Sequence, residues 1–281
     1  MEPPSPASVV PVLECRDITK KFGAVVALTG ACISLQRREV LGLVGDNGAG
    51  KSTLLKILSG VLTANSGEII VDGRPTHIRR AQDALDAGIE TVYQDLALVG
   101  SMSAFQNVFL GRETLSKNRF LRLLNFVDDS EMRKSAQHVL DSLGINVPSI
   151  DTITTAMSGG QRQGLAVARA LLWGRRIVIL DEPTAALGVR ESEQMLKVVR
   201  DLTTHDVSVI MVSHNMQQLM SVADRITVMR LGRCVATRIA KETHVSEIVG
   251  LITGSIEGDA EREPALSKLQ EYGVQDAFPA A

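Results

Sequence analysis

Gly45-Asp46-Asn47-Gly48-Ala49-Gly50-Lys51-Ser52 follows an apolar run, Glu39 to Val44, and opens a helical stretch, Ser52 to Leu58, that stops at Ser59-Gly60. The octet fits G-x-x-x-x-G-K-[ST]. An apolar run without a polar face reads as a strand covered on both sides, so strand, loop and helix follow one another here. Glycines let such a loop turn tightly and present successive N–H groups to phosphate oxygens. The helix start adds the positive end of its dipole. Gly45 to Ser52, with Thr53, are therefore the expected triphosphate contacts. Lys51 would reach the β- and γ-phosphates, and the Ser52 hydroxyl would ligate Mg²⁺. The competing reading, a glycine-rich turn with an incidental lysine, does not account for the strand before it and the helix after it.

The pattern on either side alternates. Val12 to Ile18 and Glu68 to Val71 read as strands, the second closed by the turn signal Asp72-Gly73. Arg176 to Leu180 and Val207 to Val212 are two more short β-rich runs, each with a helical pattern after it. Strands alternating with helices predict an α/β fold with a mostly parallel sheet. Between Asp128 and Trp173 the pattern changes. Asp129 to Leu143 and Gln161 to Leu172 look helical with no strand between them, which predicts a helical subdomain inserted into the core.

Arg176-Ile177-Val178-Ile179-Leu180-Asp181-Glu182 is a buried-type strand ending in two adjacent carboxylates. Beside a phosphate loop, Asp181 is expected to hold the Mg²⁺ shell, and Glu182 to orient or deprotonate the attacking water. Taken alone, the two acids could merely cap the next segment, Pro183-Thr184-Ala185.

Composition narrows the class further. The 281 residues carry 30 basic and 32 acidic side chains, a formal net charge of −2, and 44% are hydrophobic. That apolar share supports a full core and excludes wholesale disorder. The near-neutral balance argues against a nucleic-acid partner. The longest apolar-leaning run, Val25 to Leu35, is broken by Thr29, Gly30 and Ser34 and is too short to span a bilayer. No signal peptide is expected from MEPPSPASVVP. Cys15, Cys32 and Cys234 lie far apart without a C-x-x-C pair, so neither a disulfide framework nor a zinc site is expected. Residues 1–11 are proline-rich and expected to fray. Residues 255–281, with six acids against two bases, are expected to form a loosely held tail.

Further motifs carry a family resemblance. Met157-Ser158-Gly159-Gly160-Gln161 opens a helix ahead of Asp181, a pattern that exposes backbone N–H groups to an anion or, by itself, simply caps a helix. Val212-Ser213-His214-Asn215 ends a strand-like run, Val92-Tyr93-Gln94-Asp95 lies between the phosphate loop and the helical middle, and Lys20-Lys21-Phe22-Gly23 lies near the N-terminus. Together with the phosphate loop these segments, taken in their order along the chain, resemble the ATP-binding subunits of ABC transporters over about residues 12–254. The resemblance implies a P-loop NTPase core, an N-terminal antiparallel β-subdomain and a helical subdomain over about 100–173. It implies a catalytic set of Glu182, His214, Lys51 and Gln94, with Ser52, Gln94 and Asp181 around Mg²⁺. It also assigns Phe22 to adenine stacking. Ser158, Gly159, Gly160 and Gln161 would contact ATP held by a second copy, so the implied working unit is a homodimer.

Thr91 to Leu98, Asn107 to Glu113 and Asp181 to Val189 resemble the monosaccharide importers of this family more closely. The chain is similar to their single-domain, fructose-, ribose- or xylose-type members. That implies an integral-membrane sugar permease as partner, a periplasmic sugar-binding protein acting indirectly, and a peripheral position on the cytoplasmic face of the bacterial inner membrane. An ABC ATPase of a non-sugar transporter and a soluble regulatory ABC ATPase are the alternatives. Two departures stand out. Met157 replaces the usual leucine, and Gly188 stands where most relatives carry an aspartate.

Overall fold

The structure is a computed structural model and describes residues 10–173 and 176–259. The first stretch holds β1 (Leu13–Phe22), β2 (Val25–Leu35), β3 (Val40–Gly45), α1 (Lys51–Leu58), β4 (Ser66–Val71), β5 (Arg74–Pro75), α2 (Ala81–Asp86) and β6 (Ile89–Val92). Four helices follow: α3 (Ala104–Phe109), α4 (Arg119–Leu123), α5 (Asp129–Ser142) and α6 (Gly159–Leu172). The last stretch holds β7 (Ile177–Asp181), α7 (Val189–Thr204), β8 (Ser208–Val212), α8 (Met216–Val222), β9 (Arg225–Arg230), β10 (Arg233–Ile239) and α9 (Val245–Thr253).

Two sheets form among the described residues. One is antiparallel, in the order β2-β1-β4-β5; the other has six strands in the order β10-β9-β3-β8-β7-β6. In the larger sheet β6, β7, β8, β3 and β9 run parallel, and β10 closes the edge antiparallel to β9. The expected α/β class, mostly parallel sheet and separate antiparallel sheet are all present.

The side-chain period of two explains how the large sheet is covered on both faces. Leu41, Leu43, Ile177, Ile179, Ile210 and Val212 face one way and share a core with α1 and the antiparallel sheet. Val40, Val44, Val178, Leu180, Val209 and Met211 face the other way, against α3, α5, α6, α7 and α8. Helix α1 buries Leu54, Leu55, Ile57 and Leu58 within the first core. The phosphate loop is thus the short link between a central strand and a helix clamped between two sheets.

Three differences from the sequence reading have physical causes. Val25–Leu35, noted above only as an interrupted apolar run, is strand β2; it pairs with β1 on both sides of an irregularity at Gly30, and Thr29 N–H bonds outward to Gly232 O. Strand β1 extends to Phe22, because β2 hairpins back on it with Phe22 opposite Val25. Strands β9 and β10 were not anticipated. The acidic segment is also held at its start: Arg238 donates to Glu247 Oε1 at 2.7 Å and to Asp259 Oδ1 at 2.6 Å. Residues 1–9 and 260–281, on which the fraying and loose-tail expectations mostly fall, lie outside the described residues. Among the described residues no helix is long and apolar enough to cross a membrane.

Candidate active site

Three neighbouring strands of the large sheet end at the same side and deliver the expected residues there. β3 ends in the phosphate loop, β7 ends in Asp181, and β8 ends two residues before His214. The ladder pairs Asp181 with Val212, and Glu182 N–H donates to Val212 O at 3.0 Å. Loops at the carboxyl ends of parallel strands converge in this way whatever their sequence separation.

The loop is shaped by close approach. Gly50, the residue before α1, has φ 103°, and a Cβ there would lie 2.9 Å from Ala27 O and 2.7 Å from a Leu28 methyl. No other residue type fits that contact without displacing β2. Gly232, at the β9–β10 turn, donates to Ala49 O at 3.0 Å and accepts from Thr29 N–H at 2.9 Å. The β1–β2 hairpin carrying Phe22 is therefore tied to the loop. Phe22 is exposed, with Lys20 Nζ 5.3 Å from its ring centroid.

Lys51 folds back along its own loop and donates to Gly45 O at 2.7 Å and Asp46 O at 3.0 Å. It is 8% exposed, and burial lowers its pKa against the opposing pull of Glu182, Asp46 and Asp181. The two acids shift the other way. Burial raises Asp181 despite nearby Lys51, and burial raises Glu182 despite the His214 backbone N–H. Glu182 also has φ 54°, the left-handed region that non-glycine residues seldom occupy, as strained functional positions often do.

Glu182 and His214 meet. His214 N–H donates to Glu182 Oε2 at 3.3 Å, and His214 Nε2 lies 3.4 Å from Glu182 Oε1. Oε1 is buried and, apart from that imidazole, has no partner among the described residues. The imidazole is 63% exposed while the carboxylate is 13% exposed.

Ser52, a serine hydroxyl, and the half-buried Asp181 carboxylate are hard oxygen donors of the kind Mg²⁺ takes. Among the described residues no group of three or more His, Cys, Asp or Glu could hold a metal by itself. That fits a cation shared with phosphate oxygens better than one caged by protein alone.

Gln94 is exposed, two residues beyond the end of β6 at the sheet edge beside β7. The loop after it is fastened by two side chains the sequence reading did not single out as functional. Arg169 on α6 donates to Leu96 O at 3.4 Å and Ala97 O at 3.2 Å. Asn107 on α3, fully buried, accepts from Val99 N–H at 2.7 Å and donates to Val99 O at 3.1 Å. A lone cation within the small and apolar run Gly164-Leu165-Ala166-Val167-Ala168-Arg169-Ala170-Leu171-Leu172 was the available signal for Arg169.

Ser158 to Gln161 form a reciprocal cap at the start of α6. Gln161 N–H donates to Ser158 Oγ at 3.2 Å, and Ser158 N–H donates to Gln161 Oε1 at 2.9 Å. The spaces beside Gly159 and Gly160 are bounded by Leu187, Ala186 and Glu191. Among the described residues no hydrogen bond joins this cap to the phosphate loop. Gly188 caps α7, its N–H bonded to Glu191 Oε2 at 3.2 Å.

Comparisons agree with this layout. A family model described as ABC transporter matches residues 28–185. The fructose import ATP-binding protein FrcA of Rhizobium meliloti is 42% identical over 88% of this chain and 95% of its own length. The xylose/arabinose import ATP-binding protein XylG of Sulfolobus acidocaldarius is 40% identical over 86% of this chain and 94% of its own. A ribose import ATP-binding protein of Escherichia coli is 40% identical over 87% of this chain but only 47% of its own length, so this chain spans about half of it. Among solved structures, cbiO1 of Clostridium perfringens, part of the ABC transporter complex cbiONQ, superposes with a TM-score of 0.70 at 26% identity over 93% of this chain and 99% of that one. A nucleotide-free ATP-binding cassette of an ABC transporter superposes with a TM-score of 0.74 at 22% identity, covering 85% and 95%. Loop, strand-end carboxylates and alignment all lead to one assignment: this chain is an ATP-binding cassette and belongs to the ABC transporter family.

Proposed function

We propose that the chain is the ATP-hydrolysing subunit of a monosaccharide importer. The observation that carries the catalytic part is the Glu182–His214 contact, with Glu182 Oε1 buried and met only by the His214 imidazole among the described residues. Lys51 and the loop N–H groups counter phosphate charge. Glu182 takes a proton at Oε1 from the attacking water, and His214 reaches the γ-phosphate. Ser52, Gln94 and Asp181 hold Mg²⁺, which supplies further charge stabilisation at the phosphate oxygens when bound. Phe22 stacks on adenine. Gln94 senses the γ-phosphate, and its fastened loop passes the change to α6.

Among the described residues no hydrogen bond joins Ser158 to Gln161 to the phosphate loop of their own chain, which supports their serving the site of a second copy in a homodimer. A site completed by the partner holds off hydrolysis until the two copies close. The names of the fructose, xylose/arabinose and ribose relatives support a monosaccharide as the transported substrate. In this reading the chain sits peripherally on the cytoplasmic face of the bacterial inner membrane. It works on an integral-membrane sugar permease, and a periplasmic sugar-binding protein presents the sugar outside.

Steady-state phosphate release with ATP and Mg²⁺, compared between the wild type and Glu182→Gln, tests the catalytic assignment. A loss of at least a hundredfold with ATP binding retained is expected; normal turnover in the variant removes Glu182 from the proton-accepting role. Reconstitution with the permease and uptake of labelled fructose, ribose and xylose tests the substrate class.

A further inference from the structure

The hairpin between α3 and α5 carries an exposed apolar surface that the nucleotide site does not use. Residues 117–127 are exposed without interruption. Among them Phe120, Leu121, Leu123, Leu124, Phe126 and Val127 are large and apolar, with Phe120 70% and Leu123 80% exposed. The hairpin is ordered at its base. Leu115 bridges to Val127, and Ser116 N–H donates to Phe126 O at 2.8 Å. A contiguous apolar patch of this kind on a folded domain marks an interaction surface.

Its charge is one-sided between Thr114 and Val127, with Glu113, Asp128, Asp129 and Glu131 at its base. Lys117, Arg119 and Arg122 interleave with the apolar residues, and no acid occurs between Thr114 and Val127. Lys117 lies 3.4 Å from Glu131, an exposed pair of little strength. Arg119 and Arg122 have no acidic partner among the described residues. We infer that this hairpin seats on an anionic lipid surface, with its aromatic and leucine side chains entering the headgroup boundary and its three cations facing lipid phosphates. Basic residues beside exposed Phe and Leu are the composition of interfacial membrane contacts. A permease is the less complementary occupant, because the cytoplasmic loops of membrane proteins carry excess Lys and Arg and repel a cationic surface. The inference rests on the reading of the chain as a membrane-peripheral subunit. Vesicle binding and ATP turnover report on the two separately.

The test is flotation of the full chain with vesicles of phosphatidylcholine alone and with vesicles containing about one-third phosphatidylglycerol. Binding is expected only to the anionic vesicles and should weaken in 0.5 M salt. Each cation near such a surface corresponds to about a fivefold change in affinity, so Arg119→Gln with Arg122→Gln should weaken binding at least tenfold. Phe120→Ser with Leu123→Ser should do likewise, with ATP turnover unchanged in both double variants. In a Phe120→Trp variant the added fluorescence should shift blue on anionic vesicles and be quenched by brominated lipid. Absence of binding to anionic vesicles, or binding undiminished by the substitutions, overturns the inference. Loss of permease co-purification in the same variants, with no vesicle binding by the wild type, assigns the patch to the permease instead.

Discussion

Three charged side chains near one strand end are each pushed toward neutrality by burial: Lys51 downward, Asp181 and Glu182 upward. For the acids this has a defined sign. Their folded pKa lies above the unfolded value near 4, so their contribution to stability is full below that value and is lost as pH rises through the folded one. Asp181→Asn, or Glu182→Gln with its backbone strain unchanged, should therefore raise the melting temperature of the nucleotide-free protein at pH 8. A gain of about 1–3 °C is expected, shrinking toward zero as the pH falls to 5, in scanning calorimetry at both values. A gain that grew at low pH would mean the carboxylates are stabilised as charges. The positions of these residues were readable from sequence because each stands at a fixed offset from a strand end. The contact of His214 with Glu182 was not, since it depends on β7 and β8 being neighbours in the sheet.

At the scale of elements, the loop after Gln94 depends on α6 more than its sequence suggests. Ala97 lies at φ 51°, and its carbonyl is held by the largely buried Arg169 guanidinium. Arg169→Met keeps the aliphatic packing and removes both hydrogen bonds. It should cost about 1 kcal/mol in urea unfolding and speed hydrogen exchange over residues 94–99, leaving α1 protected. Unchanged exchange in that segment would show that Asn107 alone holds it. Ser158→Ala removes half of the cap on α6 and should cost about 1 kcal/mol. Helices α5 and α6 were legible within two residues because their apolar periodicity is strong. Strands β9 and β10 were not: in Arg225–Arg230 polar residues flank four buried ones, and Arg233–Ile239 is an edge strand with little burial to pattern it.

For the molecule as a whole, a composite site predicts that specific ATPase activity rises with protein concentration. A mixture of Glu182→Gln and wild-type chains should fall below the sum of its parts. Activity strictly proportional to concentration would place the full site within one chain. The fold class was legible because the phosphate loop, the doubly covered strands and the helical middle all follow local patterns. The hairpin's exposed apolar face was not, because burial is decided by what the rest of the chain leaves uncovered. The clamping of α1 between two sheets has a mechanical consequence. A nucleotide held at the phosphate loop would be mounted on a helix packed into a close-fitting core, where force at its phosphates finds little give. Motion must then emerge at the periphery, through the edge loop and the helices it is stitched to.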